Sequence, residues 1–174
     1  SLLECLDHLG PDDKLGIVLY GDNSHVYMEP MRATDDNKEK MRIAIHEIAS
    51  AGSTYMEMGL RVGYRLARES MKDFEGTTRL VLFTDERPNV GNTTPDSFMG
   101  MMRAGSQDGI GLTTIGVGDY FGAELANTVS SVRGGNLFYF GRSGEMAKRI
   151  GEDFDMMFSE IAYNMSSGSN RLTG

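Results

Sequence analysis

Leu80-Val81-Leu82-Phe83-Thr84-Asp85 is a continuous apolar run that ends in a carboxylate, and Ser53-Thr54 stands directly before a strongly amphipathic helical stretch. Carboxylate and hydroxyl oxygens are the donors that hard cations take, so Thr54 and Asp85 read as two parts of a cation site. In an open parallel sheet, groups at the carboxyl ends of the strands face the crevice where ligands bind. The segment Glu86-Arg87-Pro88-Asn89-Val90-Gly91 is polar and turn-forming, and it cannot extend the strand. Both positions also have a plain structural reading. Thr54 with Glu57 three residues on has capping-box spacing, and Asp85 suits the start of a turn. Spacing alone favours these plain readings.

Other chemistry is thin. His8, His25 and His46 fall in three different elements, none beside a serine or cysteine with a nucleophile signature and none paired at metal spacing. The acid pairs Asp12-Asp13 and Asp35-Asp36 flank helix or strand starts, where carboxylates suit the local backbone and solvent. Gly116-Val117-Gly118 followed by Gly122 is close to a dinucleotide fingerprint, but the last spacing is one residue too long and no acidic residue follows at the required distance. The 13 methionines fall mostly at helical core positions, so packing accounts for them better than a binding groove does.

Composition narrows the function classes. A chain of 174 residues with 40% hydrophobic and 24% charged residues suits one soluble-type domain with a full core. A net charge of -8, with no basic cluster, argues against a nucleic-acid partner, whose phosphates call for clustered Lys and Arg. No apolar stretch reaches the roughly 20 residues of a membrane helix. The single cysteine, Cys5, excludes an internal disulfide and a Cys-rich zinc site.

The elements that must position Thr54 and Asp85 alternate between strand and helix. Leu2 to Leu9 has helical apolar spacing, Lys14 to Tyr20 reads as a strand, and His25 to Met31 as a second strand completing a hairpin, with Pro30 placing it at a sheet edge. Asp35 or Asp36 is expected to cap a helix that buries Met41, Ile45, Ile48 and Ala49 and ends at Ala51-Gly52. Thr54 opens the next helix, to about Met71, in which Gly59 and Gly63 would let it lie close on a sheet. A strand follows over Arg79 to Phe83, then a helix started by Thr94-Pro95, a strand over Leu112 to Val117, a helix over Ala123 to Val132 and a strand over Leu137 to Phe140. Ser143 is expected to cap a last helix whose stripe is Ala147, Ile150, Phe154, Met157, Phe158 and Ile161. The sum is an α/β doubly wound, mostly parallel sheet with one antiparallel edge hairpin and helices on both faces. Residues 1–165 form the domain and the small polar residues 166–174 a flexible linker or tail. Both ends read as cuts from a larger protein.

From Leu2 to about Met165 the motifs, taken in order, resemble a von Willebrand factor A domain of bacterial type. They are a leading helix before Lys14 to Tyr20, Ala51-Gly52-Ser53-Thr54 before a long helix with Gly59-Leu60, the run Leu80 to Asp85, Thr114 to Gly118, and Gly134 to Tyr139. Such domains carry a metal-ion-dependent adhesion site built from an Asp-x-Ser-x-Ser loop after the first strand, a Thr before a later helix and an Asp after the fourth strand. The resemblance implies that Thr54 and Asp85 are metal ligands and that Ser53, Glu86, Arg87 and Asn89 line the partner-binding surface. It implies Mg2+, or Mn2+ or Ca2+, in the intact domain, with a carboxylate of a partner protein filling an open coordination position, and no enzymatic activity. It implies a cell-envelope or extracellular setting and leaves the cytoplasm open.

The departures matter as much. The chain contains no Asp-x-Ser-x-Ser, so one Asp and two Ser ligands are lacking, and weak or no metal binding is expected of these residues alone. Glu86 stands where the family commonly has Gly, and it is expected to face solvent. The family's first strand is central, in the order 3-2-1-4-5-6, and without it two strand edges would face each other unpaired. Another segment or a second chain is expected to fill that gap, as a homodimer or by strand exchange, unless the strands slide together. Two alternatives stand beside this reading: a metal-independent scaffold with a decayed site, and a hydrolytic or nucleotide-dependent enzyme using the same crevice.

Overall fold

The computed structural model describes residues 2–48, 55–118 and 122–158. Their order is α1 (Leu2–Asp7), β1 (Lys14–Leu19), β2 (His25–Arg32), α2 (Asp35–Glu47), α3 (Met56–Ser70), β3 (Thr78–Thr84), α4 (Phe98–Gln107), β4 (Ile110–Val117), α5 (Ala123–Ser130), β5 (Gly135–Phe140) and α6 (Ser143–Met157). The alternation read from the sequence is thus present. Four helix starts differ from expectation.

Thr34, not Asp35 or Asp36, caps α2, its hydroxyl accepting from the Asn37 N–H. A β-region residue one position before the helix is where a short side-chain oxygen reaches the free amides of the first turn. Likewise α4 begins at Phe98 under the Ser97 cap, because Thr94 to Ser97 first closes a turn in which the Ser97 N–H donates to the Thr94 carbonyl at 3.0 Å. Arg142 stands at the cap position of α6, with no side-chain cap bond, and Ser143 is already helical. Tyr55, and not Thr54, is the residue before α3 and makes no side-chain cap bond, and Thr54 lies outside the described residues. Ala49, Ala51, Gly52 and Ile161, also named for these helices, lie outside the described residues.

The strands form two sheets. β1 and β2 pair antiparallel as the expected hairpin, and β3, β4 and β5 pair parallel in that order. β4 is buried along Ile110 to Gly116 and reads as a near-continuous apolar run, as a strand covered on both faces must. One face carries α3, α4 and α5, whose Leu60, Tyr64, Phe98, Met102 and Leu125 pack with Leu82 and Leu112. The opposite face carries α1 and α6, where Cys5, Met146, Ile150 and Met157 pack on Ile115. A third cluster joins Leu6 of α1, Ile17 and Met28 of the hairpin and Met41 of α2.

Two glycines set the height of α3 above the strands. A Cβ on Gly63 would stand 3.2 Å from a Leu80 methyl, and one on Gly59 would stand 2.6 Å from Cβ of Tyr20. The second distance is below any real carbon contact, so α3 lies this close only because Gly59 has no side chain. The sequence reading of these glycines holds.

β1 and β3 do not pair, nor have they slid together. A cavity of roughly 530 Å³ separates them. β3 shows the consequence: Val81, in the middle of an otherwise covered strand, is 37% exposed. The core is closed around the three-stranded sheet and around the hairpin, and open between them.

Candidate functional site

Asp85 follows β3 directly, at the carboxyl end of the parallel sheet, with an exposed side chain. The turn that holds it is built from its neighbours. Thr84, buried, accepts the Glu86 N–H on its hydroxyl at 3.0 Å, which bends the chain out of the strand immediately after the last ladder residue. Asn89 accepts the Gly91 N–H on its side-chain oxygen at 3.0 Å, closing a second small turn. Pro88 is buried and Val90 packs against the large core cluster, so the loop is pinned at two apolar points while Asp85, Arg87 and Asn89 remain exposed.

Glu86 differs from expectation, since it is partly buried rather than turned fully to solvent. Its carboxyl is raised above the ordinary value by that desolvation first, and then by the charges of Asp85 and Glu57. This coupling brings Glu57, in the first turn of α3, to the same rim as Asp85 and Glu86. Sequence reasoning assigned Glu57 only a capping role. The signal that could have placed it was available: α3 packs on β1 and β3, so its amino-terminal turn must lie near the end of β3. Beside Glu57, Tyr55 is 51% and Met58 43% exposed, two large apolar side chains at one end of one helix.

Of the residues named from sequence, Asp85, Glu86, Arg87 and Asn89 fall on this one loop, whereas Ser53 and Thr54 lie outside the described residues. Among the described residues no three His, Cys, Asp or Glu side chains come together in a way that could hold a metal ion. Mg2+ requires near-octahedral oxygen donors, and the carboxylates of the described residues do not gather into such a set. The described residues therefore do not fit a complete shell for a divalent cation.

Nothing at the three histidines or the cysteine competes with this rim. His8 stacks flat on Phe154, ring centroids 4.6 Å apart, and His25 is exposed on the edge strand. Burial pushes the Cys5 thiol up to about 11, the reverse of what a nucleophile needs. No helix among the described residues is long and apolar enough to cross a membrane.

Comparison with known proteins agrees with the fold. The chain is 26% identical over 168 residues to protein YfbK of Escherichia coli (strain K12), a match covering 96% of this chain and 29% of YfbK. It is 21% identical over 157 residues to protein sll0103 of Synechocystis sp. (strain ATCC 27184 / PCC 6803 / Kazusa), covering 90% of this chain and 36% of that one. The chain thus spans about a third of the length of the curated relatives it matches. Among solved structures, a von Willebrand factor type A protein from Catenulispora acidiphila superposes with a TM-score of 0.66 at 16% identity, over 91% of this chain and 36% of that one. Proximal thread matrix protein 1 from the mussel byssus, solved with a zinc-occupied MIDAS motif, gives 0.64 at 14% identity, over 89% and 40%. At those identities the likeness is one of fold. The profile of the von Willebrand factor type A domain matches residues 1–151, and the chain belongs to that family.

Proposed function

We propose that this chain is a non-enzymatic protein-binding module, of adhesion or scaffold type, whose partner docks on the rim formed by the loop after β3 and the first turn of α3. Domains of this family are commonly interaction modules. The observation that carries the reading is the exposed carboxylate of Asp85 at the end of a parallel strand, on a loop pinned by Pro88 and Val90, beside the exposed Tyr55 and Met58. A polar loop with a charged centre and an aromatic and a methionine at its edge has the composition of a protein-recognition surface. Arg87, Asn89 and Ser53 belong to the same surface in this reading.

In the intact domain, Thr54 and Asp85 serve as ligands of Mg2+, or of Mn2+ or Ca2+, and a carboxylate of the partner protein completes the shell. One point supports this. The zinc held by the mussel protein's MIDAS motif is an instance of that chemistry within a like fold. The 174-residue chain itself, without an Asp-x-Ser-x-Ser, binds cations weakly or not at all. The second reading is a scaffold of this fold that binds its partner without metal. The net charge of -8 weighs against nucleic acid as the partner.

Thermal-shift measurements with Mg2+, Mn2+, ATP and GTP test the class. A small upward shift at millimolar Mn2+ that is lost in Asp85→Ala supports the adhesion-type site. No shift with any cation supports the metal-independent scaffold, and a clear shift with a nucleotide overturns both in favour of an enzyme or nucleotide binder.

A further inference from the structure

We propose that the outer face of the α3–α4 pair is a docking surface for an acidic segment of a partner protein, whose carboxylates pair with Arg65 and Arg103. It is a second surface, separate from the rim, and it uses no metal.

No basic run marks this face in the sequence, because helical spacing assembles it. α3 buries Leu60, Tyr64 and Ala67, and with 3.6 residues per turn Met58 and Arg65 fall together on the opposite side, where both are exposed. Arg61 and Arg68 fall on the side of α4, as their ion pairs show. Arg61 meets Asp96 at 3.1 Å, just before α4, and Arg68 meets Asp108 at 2.7 Å, just after it. The two helices therefore run side by side in the same direction with a bridge at each end, and between the bridges the Tyr64 ring lies against Gly105. α4 buries Phe98, Met99, Met101, Met102 and Gly105, which leaves Arg103 exposed on its outer side, between the levels of the two bridges.

The charge of this face runs against that of the chain. α3 carries three arginines against two acids and α4 one arginine and no acid, whereas each of the other four helices carries more Asp and Glu than Lys and Arg. Asp96 and Asp108 neutralise Arg61 and Arg68 and fix where they point. Arg65 and Arg103 have no ion pair or side-chain hydrogen bond among the described residues, so the open positive charge of the face is theirs.

That charge selects an anion, and the surroundings select which one. Carboxylates stand among the arginines at Asp96, Asp108 and Glu69, and the chain as a whole carries -8. A phosphate backbone or an anionic lipid surface presents charge continuously and meets those carboxylates as well. A polypeptide sets its acids opposite the two open guanidiniums and neutral residues elsewhere, and the guanidinium fork matches a carboxylate with two parallel hydrogen bonds. Met58, 43% exposed in line with Arg65, offers such a segment an apolar contact, and arginine and methionine are both enriched where proteins meet.

The probe is a synthetic peptide of about twelve residues, Glu and Asp spaced among Leu and Ser, titrated into the 174-residue chain at low ionic strength, with backbone amide shifts locating it. The expected result is saturable binding with shifts on residues 61–68 and 98–107, weakened by added salt and absent for the same peptide with Gln and Asn in place of its acids. Arg65→Glu and Arg103→Glu, both at exposed positions, each weaken binding at least fivefold, and Arg65→Gln weakens it in the same direction. Lys40→Glu, exposed on α2, makes the same change in net charge, and Asp85→Ala removes the carboxylate of the rim; both bind the peptide as the parent chain does, so this surface and the rim stand or fall separately. A thymidine oligonucleotide of equal length and vesicles of phosphatidylglycerol bind more weakly than the peptide. No saturation at millimolar peptide, full binding in Arg65→Glu, equal loss in Lys40→Glu, loss in Asp85→Ala, or tighter binding of the oligonucleotide or the vesicles overturns the proposal.

Discussion

Tyr64 offers the sharpest energetic test of the packing described above. Its ring lies in the main cluster under α3 and α4, it is 1% exposed, and its hydroxyl has no hydrogen-bond partner among the described residues. Burial raises the phenol well above its ordinary range, against the opposing charges of Arg68 and Arg79, so the group stays protonated and the desolvated O–H is the whole cost. A buried hydroxyl without a partner costs about 1–3 kcal/mol. Tyr64→Phe removes that penalty and leaves an oxygen-sized void, so the net gain falls near the low end, about 1 kcal/mol. For a domain of this size that corresponds to a rise of roughly 2–4 °C in Tm. Gly105→Ala is the companion variant: its Cβ would stand 2.2 Å from Cε1 of Tyr64, so the ring must move, at an overpacking cost of about 1–3 kcal/mol. Urea denaturation at constant m-value measures both. A loss of 1 kcal/mol or more in Tyr64→Phe would refute the reasoning, because it would mean the hydroxyl is hydrogen-bonded in the folded chain.

Two further outcomes follow from the titrating groups. The Glu86 carboxyl is raised above its ordinary 4.5 in the folded chain, so its ionisation opposes folding; the penalty is absent below that pH and grows as pH rises through the folded value. Glu86→Gln therefore stabilises at pH 7 and has no effect at pH 3, as denaturant melts at the two pH values would show, and an equal gain at both would contradict the cause given. Cys5, with its thiol pushed up to about 11 and its side chain buried, reacts with a disulfide reagent at pH 8 at least a hundredfold more slowly in the native chain than in urea; comparable rates would mean that α1 does not pack as described.

Much of this architecture is legible in the residues, and the part that is not has a physical cause. β4 and the large helix stripes are set by burial, and a run such as Ile110 to Val117 or the spacing of Met56, Leu60, Tyr64 and Ala67 leaves few alternatives. Helix starts are less determined, because hydroxyl and carboxylate side chains crowd there and any of several can reach a free amide. Thr34 outcompetes Asp35 and Asp36 because it alone sits outside the helix with extended backbone, and Pro95 is spent on a turn before Ser97. Polar cross-links between distant elements have no local signature at all. Arg79 donates to Thr113 and to the Gly134 carbonyl, and Thr113 and Asn136 both donate to the Met157 carbonyl, holding the end of α6 to the sheet. At the rim, Asp85 was marked by the strand that ends in it, whereas Glu57 required knowing where α3 begins.

Paramagnetic broadening by Mn2+ tests the central claim directly, since it registers even a weak cation site. With trace Mn2+ added to the isotope-labelled chain, the account requires loss of amide signals centred on residues 53–57 and 85–87, and their return in Asp85→Ala. Broadening centred elsewhere, or unchanged in that variant, would contradict the placement of Thr54 and Asp85 at one shared site.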